Sequence, residues 1–384
     1  MTLTRGEEYR IADWEGIMTP ALAIYADAVD HNISRMLAIV GDANRWRPHV
    51  KTAKLNYTIR RLVEHGVANM KCATTLELLT ACEAGARDVT VAYPLPSPAV
   101  ARVKEIAVAF PAVAVSALVE NVDQVELWRG SPVGLFVDVN PGMNRTGIDA
   151  RRIQDIVSIA RKVIGAALRL RGVHFYDGHH TQTLLADRIK AAHLGYDRLM
   201  EIVGVLQGSG IFVEEVITSG TPSMPCALAY TGFSEQRFQH RVSPGTVIYN
   251  DSTSLSQLPR DYALKPAALV VSTVVSRPAD DLVTCDAGHK TLSLDSGVPN
   301  CCVLEHDELQ PLKPSEEHLP LRVQAGMSAP EIGARLYLLP KHVCPTVNNF
   351  DHALIVRGGR VVSIERVTAR GREVPLRTVA ARSR

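Results

Sequence analysis

The chain has 384 residues, 46% hydrophobic and 21% charged, the balance of a globular protein with room for one large core and a smaller second one. Its 42 Lys and Arg against 40 Asp and Glu leave a net charge of +2, which excludes an electrostatic nucleic-acid binder. Seven cysteines, at positions 72, 82, 226, 285, 301, 302 and 344, form no Cys-x-x-Cys pair; they argue against a disulfide scaffold and for a reducing, cytoplasmic setting.

The polar opening, Met1 to Gly16, lacks the apolar stretch of a signal peptide. Short β-rich runs then alternate with helix-period runs. Strands are expected at Leu22–Tyr25, Trp46–Val50, Met70–Ala73, Val89–Tyr93, Val113–Leu118, Val133–Val139, Gly172–Tyr176 and Val213–Thr218. Helices are expected at Ala28–Ala38, Tyr57–His65, Thr75–Ala84, Ala150–Val163 and Leu184–Gln207. The longest apolar run, Ile106 to Val119, is broken by Pro111 and is too short to span a bilayer, so no membrane association is expected.

Eight strand–helix alternations between residues 19 and 260 fit a parallel (β/α)8 barrel of the TIM type. The competing open, doubly wound sheet usually carries a glycine-rich phosphate loop, and the chain has neither GxGxxG nor GxxxxGK[ST]. From residue 261 to 384 the texture changes to short β runs, among them Leu269–Val275, Leu282–Asp286, Leu321–Val323, Arg335–Leu339, His352–Val356 and Arg360–Glu365. With no long helical period between them, they predict a mostly antiparallel β domain, which residues 1–18 are free to join.

Functional groups of a (β/α)8 barrel sit where its strands end. The segments found there are Arg47–Lys54, Asp138–Gly147, Tyr176–Gln182, Ser219–Ser223 and Ser243–Asp251, all polar or glycine-rich. Lys51 follows an apolar run; a partly desolvated lysine amine is a Schiff-base nucleophile, whereas a solvated one is inert. Ser219–Ser223 and Gly245–Asn250 offer hydroxyls and backbone N–H groups able to cradle a phosphate, although both also read as ordinary turns.

Arg47-Pro48-His49-Val50-Lys51-Thr52 together with Gly142-Met143-Asn144-Arg145-Thr146-Gly147 resembles the fold-type III pyridoxal-phosphate enzymes, whose barrel is the alanine racemase N-terminal domain. Ser219-Gly220-Thr221-Pro222, Pro244-Gly245-Thr246, Tyr249-Asn250-Asp251, Asp286-Ala287-Gly288, Glu316-Glu317-His318 and Lys341-His342-Val343-Cys344-Pro345-Thr346 narrow the resemblance to the D-serine dehydratase and D-threonine aldolase family, in order from about Thr19 to Gly371. The resemblance implies that Lys51 holds pyridoxal 5'-phosphate and moves the Cα proton. It places Arg145 at the phenolic oxygen of the cofactor and Tyr176 beside the ring. Ser219, Gly220, Thr221, Gly245, Tyr249 and Asn250 would hold the phosphate, and His342 with Cys344 a divalent metal.

On a strand, residues at i and i+2 share a face, which lets His342 and Cys344 share an ion. Nitrogen plus thiolate is a zinc preference, with manganese, cobalt or magnesium as alternatives. Standing alone, the same pair reads as a buried thiol beside a chance histidine. The other six cysteines read as small packing residues.

Two details depart from the family pattern. Ala53 stands where many relatives carry histidine, and Tyr176-Asp177-Gly178-His179-His180 aligns cleanly with neither branch. His179 or His180 is a candidate acid or base at a substrate hydroxyl, or else one of a pair solvated in a loop. His342-x-Cys344 and Ser219-Gly220-Thr221-Pro222 look more like the dehydratase branch than the aldolase branch.

The expected activity is therefore a lyase reaction on a D-amino acid with a β-hydroxyl. Dehydration yields a 2-oxo acid and ammonia; the alternative, retro-aldol cleavage, yields glycine and an aldehyde. An amino-acid racemase, which has no use for a metal pair, and a cofactor carrier, which lacks a long C-terminal β domain, are the lesser readings. The resemblance also implies a homodimer.

Overall fold

The computed structural model describes residues 6–234 and 236–374; residues 1–5 of the polar lead and 375–384 of the expected β domain lie outside them. Seven parallel strands run side by side in the order Asn69–Cys72, Asp88–Val91, Ala114–Val119, Gly134–Asn140, Leu170–Phe175, Glu215–Thr218 and Gln239–Val242. The eighth position of the ring is filled by residues 46–50, which bridge its two ends: Trp46 pairs with Val242 and His49 with Lys71. Pro48 lies between those bridges and has no N–H to give a ladder, so the segment closes the barrel by isolated pairings rather than as a continuous strand. Arg47 N donates to Val242 O at 2.9 Å and Val50 N to Lys71 O at 2.7 Å.

The count of eight is therefore met by a different set of strands from the one the sequence suggests. Ala21–Tyr25, expected to open the barrel, lies in the other sheet, between Ala268–Ala279 (antiparallel) and His352–Arg357 (parallel). It is buried on both faces, which gives it the continuous apolar run of a barrel strand. The strand it displaces, Gln239–Val242, reads Gln-His-Arg-Val and carries no apolar run at all.

The helices fall close to their expected places. Ala26–Val40 ends where Gly41 takes a left-handed conformation (φ 79°) and donates to Leu37 O at 2.9 Å. Thr75–Glu83 begins at Thr74, whose hydroxyl accepts from Glu77 N. Leu185–Gly208 turns Leu199, Ile202 and Leu206 inward. Pro111 sits in the turn between the helix Ser97–Ala109 and the strand Ala114–Val119, splitting the longest apolar run. No helix among the described residues is long and apolar enough to cross a membrane.

The barrel floor, where the strands begin, is closed by charge. Arg47 is fully buried and donates to Glu215 Oε1 at 2.7 Å and Asp88 Oδ2 at 2.8 Å; Arg171 joins the same two carboxylates. With the floor sealed by paired ions, access to the interior is left to the end where the strands finish. The second sheet is antiparallel apart from the Ala21–Tyr25 and His352–Arg357 pair, and has its own core of Val270, Val274, Val283, Leu319, Leu321 and Leu338. It also contains Cys301–Val303 and Leu309–Pro311, strands of three residues each, too short to register as β runs in the sequence. Cys72, Cys82, Cys226, Cys285 and Cys301 are buried as expected, whereas Cys302 is only partly so.

Candidate active site at the barrel mouth

A cavity of about 340 Å³ opens where the barrel strands end, walled by the barrel turns on one side and by Ser296, Lys341, His342 and Cys344 on the other. Of the lysines in Lys51-Thr52-Ala53-Lys54, Lys54 is spent on structure, its amine 2.8 Å from Glu77 Oε1 and 3.1 Å from Ala369 O. Lys51 faces the cavity. Next to it, Thr52 Oγ1 lies 3.0 Å from Cys344 Sγ, which brings the lysine and the metal motif to one place.

The two hydroxyl-rich turns reach the same cavity as Lys51, through Gly220, Thr221, Gly245 and Thr246. Ser219 and Asn250 both hold left-handed backbone (φ 58° and 54°), and both are completely buried. Among the described residues, Ser219 Oγ, Asn250 Nδ2 and Asn250 Oδ1 have no hydrogen-bond partner. Buried polar atoms are rarely left so. The Ser219 hydroxyl and the Asn250 amide N–H can donate to phosphate oxygens. Neither residue lines the cavity, whose wall the same turns supply through Gly220, Thr221, Gly245 and Thr246; on this donor set the turns fit the phosphate of pyridoxal 5'-phosphate. Gly245 is part of the same cradle: a Cβ there would stand 2.2 Å from His49 O. Gly220 and Thr221 line the cavity, and a Cβ on Gly220 would stand 3.0 Å from the Tyr176 ring. Tyr249 does not fit its expected role through its side chain, because its hydroxyl donates to Ala53 O at 3.1 Å and lies 2.7 Å from Thr58 Oγ1. It fastens the Lys51 turn to the cradle from behind.

Tyr176 lines the cavity, and the Arg145 guanidinium lies 4.7 Å from its ring centroid. The turn that carries Arg145 is built by Asn140 Oδ1, which accepts from Gly142 N and Asn144 N, and by Thr146 Oγ1, which donates to Asp138 Oδ2 at 2.9 Å. His179 and His180 are not on the cavity wall. Their rings lie 4.0 Å apart on a turn in which His180 N donates to Asp177 O. Asp177 is held inward by Tyr196 OH at 2.5 Å and Ser223 Oγ at 2.6 Å, while Gly178 and Thr181, on either side of the pair, line the cavity.

His342 and Cys344 do not lie on a strand. His342 is extended (φ −136°, ψ 107°) and precedes the short helix Val343–Asn348 that contains Cys344. Asp251 Oδ2 accepts from Val343 N at 3.0 Å and fixes that helix start. Imidazole and thiol nevertheless line the same cavity, and His342 Nδ1 is 2.6 Å from Asp295 Oδ2. Burial opposes charge on the imidazole, but Cys344 and Asp295 outweigh it and raise His342 to about 9. Burial likewise pushes the Cys344 thiol up, yet His342, Lys51 and Thr52 bring it below its usual value. An imidazole whose second nitrogen is held by a carboxylate, beside a thiol biased toward thiolate, is a donor set that fits a divalent cation such as zinc. Among the described residues no group of three or more His, Cys, Asp or Glu is arranged to hold a metal, so this pair would leave the remaining positions to water or substrate.

Asp295 escapes a reading by motif because it sits 47 residues before His342 in an unremarkable turn. Lys71 escapes it too, although a lysine between Met70 and Cys72 in a strand of four residues, Asn69–Cys72, is itself a signal.

A (β/α)8 barrel with a lysine and two hydroxyl-rich turns at its mouth is the arrangement of the fold-type III pyridoxal-phosphate enzymes. The family model described as "Alanine racemase, N-terminal domain" matches residues 24–253, and the one described as "Putative serine dehydratase domain" matches residues 267–356. A D-threonine aldolase from Arthrobacter sp. is 27% identical over 92% of this chain and 93% of its own length. A D-threo-3-hydroxyaspartate dehydratase from Delftia sp. strain HT23 is 24% identical over 91% and 97%. The crystal structure of D-threonine aldolase from Filomicrobium marinum superposes with a TM-score of 0.83 at 26% identity, covering 92% of this chain and 96% of that one. The chain belongs to the alanine racemase N-terminal domain family, within the D-serine dehydratase and D-threonine aldolase group of pyridoxal-phosphate-dependent lyases.

Proposed function

We propose that the chain is a pyridoxal-phosphate- and divalent-metal-dependent lyase that removes the β-hydroxyl of a D-β-hydroxy amino acid, giving a 2-oxo acid and ammonia. The observation that carries this reading is that Lys51 and the His342–Cys344 pair line one cavity from which His179 and His180 are absent. When bound, pyridoxal phosphate supplies an electron sink for Cα, and a divalent cation on His342 and Cys344 supplies Lewis acidity beside the substrate hydroxyl. Lys51 holds the cofactor, and its amine, once released, takes the Cα proton. Ser219, Gly220, Thr221, Gly245 and Asn250 hold the phosphate, while Tyr176 and Arg145 fix the ring.

His49 also lines the cavity, but burial and the charges of Lys51 and Lys71 hold it well below the usual imidazole range. It is neutral at pH 7 and a poor base, which leaves Lys51 as the proton acceptor at Cα. Elimination needs a base at Cα and an acid at the departing hydroxyl, whereas retro-aldol cleavage needs a base at the hydroxyl and leaves the Cα–H bond intact; the Lys51 amine, at the cavity wall, serves the first. The likeness to D-threonine aldolases favours retro-aldol cleavage as a second reading.

Incubation of the loaded enzyme with D-serine, D-threonine and D-3-hydroxyaspartate separates the two. Ammonia with a 2-oxo acid supports elimination, and glycine with an aldehyde supports the aldolase. Neither product from any of the three, with cofactor and metal both loaded, would overturn the lyase reading. The proposal includes a homodimer, for which light scattering of the eluting protein should give twice the chain mass.

A further inference from the structure

Lys71 lies inside the barrel beneath the cavity, almost wholly buried. Its amine donates to Ser243 Oγ at 2.5 Å, lies 3.4 Å from His174 Nε2 and stands 5.2 Å from the Tyr176 ring centroid. Each contact leads to a different part of the cofactor site. Ser243 Oγ donates onward to Ser219 O at 2.6 Å, holding the residue whose left-handed backbone shapes the cradle. His174 Nδ1 donates to Asp138 Oδ1 at 2.7 Å, and Asp138 Oδ2 accepts from Thr146 Oγ1, the residue after Arg145. The third contact is the ring on which Arg145 stacks.

We propose that Lys71 is the positioning residue of the cofactor site, a buried amine that sets the phosphate cradle, the Tyr176 ring and the Arg145 turn in one geometry. Packing alone does not account for it. A buried ammonium whose hydrogen bonds go to a hydroxyl and an imidazole carries a desolvation cost that methionine, of similar volume, would avoid. Burial, reinforced by the charges of Lys51 and Arg145, brings this amine down to about 7, so at neutral pH it still donates whether or not it is charged. Such a network is rigid only while every member is satisfied, and Lys71 is the member shared by all three branches.

The inference rests on the reading of this cavity as the pyridoxal-phosphate site. The test uses the full-length chain stripped of cofactor and titrated with pyridoxal 5'-phosphate and with pyridoxal, for the wild type, Lys71→Met, Ser243→Ala and the double variant. The preference for the phosphorylated form should fall about tenfold in each single variant, the worth of one good hydrogen bond to the cradle. The double variant should lose no more than either single one, because both act through one path. Thermal melting of stripped Lys71→Met should stay level or rise. Undiminished phosphate preference in Lys71→Met overturns the inference, as does full additivity in the double variant. If Lys71→Met fails to fold, undiminished preference in Ser243→Ala overturns it instead. A wild type with no preference for the phosphorylated form would defeat the cofactor-site reading itself, a different failure from the others.

Discussion

His342 Nδ1 lies 2.6 Å from Asp295 Oδ2, so a residue from a turn of the second domain fixes which imidazole nitrogen is left to face Cys344. Carboxylates in that position orient a metal-bound histidine and raise its basicity. Asp295→Ala should therefore weaken zinc binding by roughly ten- to a hundredfold without removing a ligand. Competition against a chromophoric chelator measures this directly, and Cys344→Ala, which does remove a ligand, should cost more. Equal affinity in Asp295→Ala and wild type would show that the carboxylate merely solvates an exposed ring.

The two lysines of the 51–54 turn should separate cleanly. Lys51→Ala should abolish the cofactor absorbance near the visible edge while leaving the fold intact, since Lys51 faces the cavity. Lys54→Ala should keep that band but destabilise the protein by about 3–5 kcal/mol, because it strands buried Glu77 without its partner. Absorbance spectra and denaturant unfolding of both variants check the pair. A band that survives in Lys51→Ala and vanishes in Lys54→Ala would reverse the assignment.

The barrel was legible from the alternation of runs, and the site from where the runs stop, because both depend on local pattern. What local pattern does not carry is which sheet a strand joins. Ala21–Tyr25 has the apolar character of a barrel strand because it is buried between two strands of the other sheet. Gln239–Val242 completes the barrel with polar residues because His240 and Arg241 serve interior partners, Thr218 and Glu215. That Lys51, Tyr176, Gly220, Thr221 and Gly245 line one cavity follows their order at the ends of the runs. Asp295 and Lys71 could not be placed by such order, since each owes its role to a partner about 50 to 170 residues away. The histidine pair at 179 and 180 differs: Gly178 and Thr181 on either side of it line the cavity, and the pair itself does not.

Gly245 should tolerate no side chain. A Cβ would lie 2.2 Å from His49 O, a backbone atom in the segment that closes the barrel and leads into Lys51. Gly245→Ala has to push that segment or its own turn aside, so cofactor binding should fall by at least tenfold and stability by about 1–3 kcal/mol. Gly204→Ala, in the helix Leu185–Gly208 with nothing within 4 Å of the added methyl, is the matched control and should be neutral or stabilising. Cofactor titration with denaturant unfolding of both variants would decide it, and a Gly245→Ala protein that binds normally would place the cradle elsewhere.

Stability should depend on pH through His240, away from the cavity. This ring is buried, stacked on Phe233 with centroids 3.9 Å apart, and its Nε2 is 2.8 Å from Thr218 Oγ1. Burial, helped by the charge of Arg45, lowers it to about 3. An unfolded histidine titrates near 6.5, so between these values the unfolded chain binds a proton that the folded one refuses. The contribution is fully present above about pH 6.5 and is lost as pH falls toward 3, at a limiting slope of about 1.4 kcal/mol per pH unit. His240→Leu removes the titrating group and the Thr218 bond together. It should be less stable than wild type at pH 7, with the gap narrowing by about 2 kcal/mol by pH 5. Urea unfolding of both proteins at the two pH values measures the gap; parallel losses would mean that His240 takes up its proton in the folded state.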